Sequence, residues 1–120
     1  NINIPTATSG TVGICAGQDV ALWFVEIIGN KIGKITITGK FVEYPLSTAN
    51  AKPHAITLGK DGDLWFTEWG SNKAGRITLY EKIIEYQIPT PESEPHGLVL
   101  GTDGAIWFAE EGNKIGQLIY

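Results

Sequence analysis

The sequence is poor in the features that mark several large function classes. It has one cysteine, Cys15, so no internal disulfide is possible. That fits a reducing, cytoplasmic compartment. Lys and Arg together number 9 against 13 Asp and Glu, giving a net charge of −4. A nucleic-acid binder would show a basic face instead. No apolar run approaches the ~20 residues that cross a bilayer, so no membrane partner is expected. The opening Asn1-Ile2-Asn3-Ile4-Pro5 lacks the basic and apolar regions of a signal peptide. No Cys or His cluster has zinc spacing. There is no phosphate-binding or dinucleotide fingerprint and no Gly-x-Ser-x-Gly elbow. No segment carries an amphipathic helical period.

What the chain has is glycine, 15 of 120 residues, and an internal repeat. Trp23, Trp65 and Trp107 are spaced by 42 and 42 residues. Each stands in one block: Leu22-Trp23-Phe24-Val25-Glu26, Leu64-Trp65-Phe66-Thr67-Glu68 and Ile106-Trp107-Phe108-Ala109-Glu110. A Gly/Asp turn signal precedes each block. Asn30-Lys31-Ile32-Gly33, Asn72-Lys73-Ala74-Gly75 and Asn113-Lys114-Ile115-Gly116 follow. In the second copy, four short β-rich runs cover about 54–59, 64–68, 74–79 and 82–88. Asp61-Gly62 and Asp103-Gly104 suit two-residue hairpin turns with positive φ at both residues.

Four strands in ~40–45 residues make a propeller blade. The expectation is an all-β protein: a β-propeller of four-stranded antiparallel blades, three in this chain. A β-helix is the runner-up, but its coils are shorter and lack regular hairpins. The blades fall at 11–48, 53–90 and 95–120, the last without its outer strand. Residues 1–5 align with the tail of an outer strand and are available for donation to another blade, which would remove an exposed edge. Three blades do not close a ring. Closure requires either a second chain, giving a six-bladed homodimer by self-association, or the blades of a longer chain.

Columns shared by all copies explain the fold: the tryptophans as core between blades, and Glu26, Glu68 and Glu110 as a repeated contact. Columns that differ point to function. Three stand out: Val12–His54–His96, Gly10–Lys52–Glu94 and Ile27–Trp69–Glu111. Residues two apart in extended chain point the same way, so Glu94 and His96 should share a direction. All three columns meet at one end of the innermost hairpin, at the mouth of a central channel. Two carboxylates and an imidazole suit Mg²⁺ or Ca²⁺ beside a base for proton abstraction; ordinary surface loops with backbone-bonded rings are the other reading. Trp69 is a pocket wall or a loop cap. Lys52 reads as a solvated side chain and Cys15 as a small buried one.

Lys52–Gly75, Ala21–Lys34 and the run Glu94-Pro95-His96-Gly97 with the ending Glu110-Glu111 resemble the virginiamycin B (streptogramin B) lyase family. The likeness covers the whole chain and corresponds to the last three blades of a seven-bladed propeller. The resemblance implies a Mg²⁺-dependent lyase that opens a cyclic depsipeptide antibiotic at its ester by elimination. It implies His96 as catalytic base, Glu94 and Glu111 as metal ligands, and His54 as a substrate contact. The shortened third loop lets Glu110 compete with Glu111 for the second carboxylate; Glu111 is favoured because Glu110 fills the structural column. The competing functions are a non-catalytic ligand- or protein-binding module and a metal-dependent propeller hydrolase that activates water.

Overall fold

The computed structural model describes residues 2–120. Eleven strands form three antiparallel sheets, with no helix among the described residues. The first sheet runs in chain order through β1 (Thr11–Ala16), β2 (Leu22–Glu26), β3 (Lys31–Ile35) and β4 (Phe41–Pro45). The second repeats it with β5 (Pro53–Leu58), β6 (Leu64–Glu68), β7 (Lys73–Ile77) and β8 (Ile83–Gln87). The third has only β9 (Pro95–Leu100), β10 (Ile106–Glu110) and β11 (Lys114–Leu118). These are propeller blades, and they do not close a ring. The inner strands β1, β5 and β9 lie side by side, so successive blades meet along them. Asn1, the first residue of the expected donated strand, lies outside the described residues; residues 2–5 carry no strand.

The repeat motifs have clear packing causes. Phe24, Phe66 and Phe108 lie flat against Gly33, Gly75 and Gly116 on the neighbouring strand. A Cβ at any of these glycines would come 2.2–2.3 Å from a ring carbon. Only glycine fits, which accounts for the last residue of the Asn-Lys-x-Gly motif. Trp23 stacks on Tyr44 and Trp65 on Tyr86, at 5.7 and 5.8 Å between centroids. Both tryptophans are buried, whereas Trp107 on the outermost blade is only half-buried.

The hairpin turns differ from expectation. Only Gly62 and Gly104 have positive φ, at 92° and 85°; the preceding aspartates do not. The loop is wider than two residues, because the Gly59 N–H donates to the Asp63 carbonyl and the Gly62 N–H to the Gly59 carbonyl. The aspartates act through their side chains. Asp19 and Asp103 each accept from a backbone N–H two residues on and from the indole Nε1 of Trp23 and Trp107. An Asx-type bond replaces the left-handed aspartate. In the first copy Val20 takes the glycine's place at φ 63°, an unfavourable site for a β-branched residue. Strand β7 ends two residues earlier than expected, since Thr78 already opens the next turn by donating to the Lys82 carbonyl.

Each four-stranded blade also holds a carboxyl pair. Glu26 and Glu68 are fully buried. Burial, then the neighbouring Glu43 carboxyl, pushes the Glu26 carboxyl up to about 7. Burial, then the neighbouring Glu85 carboxyl, pushes Glu68 up to about 8. Burial works in the same direction on Glu85, yet Glu68 and the bonds from Thr48 and Ser47 bring it below its ordinary range. The thread from the preceding segment is constant. Thr6 donates to Glu43 and receives from Lys31; Thr48 donates to Glu85 and receives from Lys73. The threonine hydroxyls thus tie each blade to the segment before it.

Between the ordinary carboxylate range and about pH 8, the folded chain keeps protons on Glu26 and Glu68 that the unfolded chain has released. Stability therefore falls as pH rises through this window. Urea midpoints measured from about pH 5 to about pH 9 should decline, and Glu68→Gln should flatten the decline. A midpoint that holds level or climbs would refute the buried-proton reading.

Candidate functional site

The inner hairpin of every blade carries the same irregularity. Pro53 pairs with Glu68, but the next ladder pair is Ile56 with Phe66, leaving His54 and Ala55 opposite Thr67. In the third blade Pro95 pairs with Glu110 and Leu98 with Phe108, leaving His96 and Gly97 opposite Ala109. In the first, the shift falls between Thr11 and Gly13, at Val12. The Val12–His54–His96 column is therefore a β-bulge, a device that re-aims a side chain.

The bulges of the second and third blades bring their histidines together. The His54 and His96 ring centroids lie 4.3 Å apart with planes tilted by 32°. His96 Nε2 is 2.8 Å from Glu111 Oε2, an ion pair only when the imidazole is protonated, and the contact is not an aligned hydrogen bond. Nε2 itself is shielded from solvent, while the carboxylate side remains half open. Trp69 Nε1 donates to the same Glu111 oxygen at 3.3 Å, and its ring stands edge-on to His96 at 6.1 Å. Four of the five expected site residues thus form one connected cluster.

Glu94 is placed differently. Its φ of 50° puts it in the left-handed region, as are Glu92, Lys52 and Asn50 in the matching segments. The extended-chain argument that Glu94 and His96 share a direction does not hold for this backbone. The Glu94 side chain borders a groove of about 470 Å³ with Lys52, Trp69 and Glu92. Its carbonyl nevertheless accepts the Glu111 N–H at 3.2 Å, so the two glutamates are bonded through their backbones. Lys52 is exposed but does more than face solvent, since its Nζ sits 4.9 Å from the Trp69 ring centroid. Cys15 is half-buried, and burial pushes its thiol up to about 11, so it is a poor nucleophile.

Among the described residues no three His, Cys, Asp or Glu side chains converge as a metal cluster. Glu94 and Glu111, bonded through their backbones, are the candidate carboxylate donors to a cation. Two hard oxygens with water completing the shell is the usual manner of Mg²⁺ binding, so this donor set fits Mg²⁺ and not a soft metal.

The sequence columns pass over one residue of the site. Thr67 is fully buried, and its hydroxyl donates to the His96 carbonyl at 2.6 Å while accepting the Ala55 N–H at 3.2 Å. The signal was present as a fourth departure from the repeat, Val25–Thr67–Ala109.

The family that matches is the Virginiamycin B lyase family, over residues 1–118. A solved streptogramin B lyase is 55% identical, with a TM-score of 0.92 over 97% of this chain. Virginiamycin B lyase from Staphylococcus aureus is 56% identical with the same TM-score and coverage. A catalytically inactive histidine-to-alanine variant of the S. aureus enzyme with quinupristin superposes at TM-score 0.91. The chain spans 39% of the length of each. A calcium-binding regucalcin from Agrobacterium tumefaciens, 19% identical at TM-score 0.67, shares the fold alone.

Burial, then the neighbouring His96, holds the His54 ring below its ordinary value, and Glu111 opposes both. His54 is accordingly neutral at pH 7. Followed by its ring-proton NMR signal, His54 should titrate below the ordinary histidine range, and Glu111→Gln should lower it further. An ordinary or elevated midpoint would contradict the paired arrangement.

Proposed function

This chain belongs to the virginiamycin B lyase family, and from that premise we propose that its His54–His96–Glu111 cluster serves ring opening of a cyclic depsipeptide by elimination at the ester. The observation that carries the reading is the His96 ring: its Nε2 lies 2.8 Å from Glu111 Oε2, and Trp69, which donates to that same oxygen, also borders the open groove of Lys52 and Glu94. An imidazole there can take a proton from the carbon next to a carbonyl. The electron pair left on carbon then forms a carbon–carbon double bond as the bond to the ester oxygen breaks, and the ester leaves as a carboxylate. No water enters, so the product keeps the mass of the substrate.

Glu94 and Glu111 would hold the Mg²⁺, which when bound supplies positive charge against the carbonyl oxygen. Glu111 would also orient His96 between turnovers. His54, neutral and tilted against His96, offers a ring edge to a substrate carbonyl. Trp69 offers an apolar wall suited to the aromatic and aliphatic side chains of a depsipeptide. A cytoplasmic location agrees with the single free cysteine.

The chain spans 39% of its solved relatives, so the rest of a binding cavity has to come from elsewhere. We propose a second copy. Blade three leaves an apolar groove of about 550 Å³ open, lined by Leu98, Val99, Trp107, Phe108 and Ile115. Blade one exposes Ile14, Leu22 and Ile28. At both internal junctions the inner strands pack side by side, and these open faces present the same strands unpacked. A sedimentation mass of twice the chain would support head-to-tail association. A mass of one chain would overturn it and leave the remaining blades of a longer protein to complete the ring.

The catalytic reading predicts a ring-opened product of unchanged mass from a type B streptogramin, dependent on Mg²⁺ and lost with chelator, as followed by mass spectrometry. His96→Ala should lower turnover by about 10²–10⁴-fold. A product heavier by one water would assign a hydrolase. Binding of the antibiotic without turnover, unchanged by His96→Ala, would assign a non-catalytic module.

A further inference from the structure

We propose that Thr67 is a positioning residue that locks the two histidine-bearing bulges into one unit; the inference rests on the catalytic reading only for its activity arm. A β-bulge leaves a backbone N–H without a ladder partner. In the second blade that group is the Ala55 N–H, one residue past His54, and the Thr67 hydroxyl oxygen accepts it at 3.2 Å. The hydroxyl proton then goes to the His96 carbonyl, 2.6 Å away on the next blade. A hydroxyl can donate and accept at once, and here one atom joins the backbone of both bulges. Nothing else needs a polar atom at this place. Thr67 is fully buried, and the same column carries Val25 in the first blade and Ala109 in the third.

The junction between the first and second blades shows what the column does without a hydroxyl. There Val25 faces Gly13, and the backbones approach closely enough that a Cβ on Gly13 would lie 2.8 Å from the His54 carbonyl oxygen. At the bulges themselves, that junction shows close packing and no hydroxyl bridge. The second junction has instead a directional bond to the residue carrying the shielded imidazole. Direction matters because a bulge can swing its side chain, and a displacement of about 1 Å at a catalytic base costs on the order of a hundredfold in rate.

Both neighbouring solutions supply test variants that the fold already accepts at this column. In the full chain, Thr67→Val and Thr67→Ala each remove the hydroxyl, and Thr67→Ser keeps it. Amide exchange at Ala55 should accelerate on the order of tenfold in the first two variants, with amides of β6, β7 and β10 unchanged. The NOE between the His54 and His96 rings should weaken with it. Thr67→Ser should restore both. If the valine variant loosens the whole sheet, the alanine variant carries the comparison. An unchanged ring NOE in the hydroxyl-free variants, or a serine variant that fails to restore it, overturns the proposal. The activity arm separates the two readings. Where the unaltered chain turns over, kcat should fall about 10–100-fold in Thr67→Val with KM held, and an unchanged kcat overturns positioning. Where the unaltered chain shows no turnover, the catalytic reading fails, and the exchange and NOE results decide on Thr67 by themselves.

Discussion

The bulge at the start of each inner strand is the constraint on which the site depends. Inner strands lie against the next blade, so many of their ordinary positions are taken up by packing. Ile56 is buried in the core, and Gly13 has no room for a side chain. A bulge adds a residue that the ladder does not use. It also twists the strand locally, which turns that residue toward the end of the hairpin. The same offset occurs in all three blades, so the fold makes the position available in each. What the chain mounts there is free to vary: valine once and histidine twice.

Placing two imidazoles on adjacent bulges has an electrostatic consequence. With the rings 4.3 Å apart, His96 discourages protonation of His54. Glu111 stands on one side only, in contact with His96. The pair is thereby made unequal. His54 is the ring kept neutral, and His96 is the one with a carboxylate to face an imidazolium. That asymmetry is what an acid–base site needs, and it comes from a third-blade glutamate in a column where the other blades have Ile27 and Trp69.

Much of this was readable from the repeat. The tryptophan spacing yields the blade count and the missing outer strand, because three aligned copies average out local ambiguity. His54, His96, Trp69 and Glu111 emerge as departures from the repeat, and the structure brings them into contact. The errors share one cause: pattern reading assumes regular backbone. Glu94 was aligned with His96 by the two-residue period of a strand, but a φ of 50° turns it aside. The Asp-Gly turns were assigned left-handed aspartates, whereas the aspartate side chains bond forward and leave that conformation to glycine. The bulge itself leaves no local mark, since a proline before a histidine also suits a plain strand start. Thr67 was concealed for another reason. Threonine is common in half-buried strands, and only its partners show that its hydroxyl, not its methyl, is what the position uses.

The two uses of buried polarity in this chain follow opposite logic. The Glu26–Glu43 and Glu68–Glu85 pairs recur with their threonine and lysine partners, one per complete blade. They bind each blade to the segment before it, so they scale with blade number and belong to the architecture. The third blade has no outer strand among the described residues, and so no matching carboxyl pair. The Thr67 bond occurs once, at the single junction where both flanking bulges carry histidine. A buried hydrogen bond that served only stability would be as useful at the first junction, where packing against Gly13 does the work without it. Its restriction to the histidine junction follows if the bond limits motion of what the bulges carry. In a repeat protein, polar groups that recur hold the fold together, and those that occur once are where its chemistry should be sought.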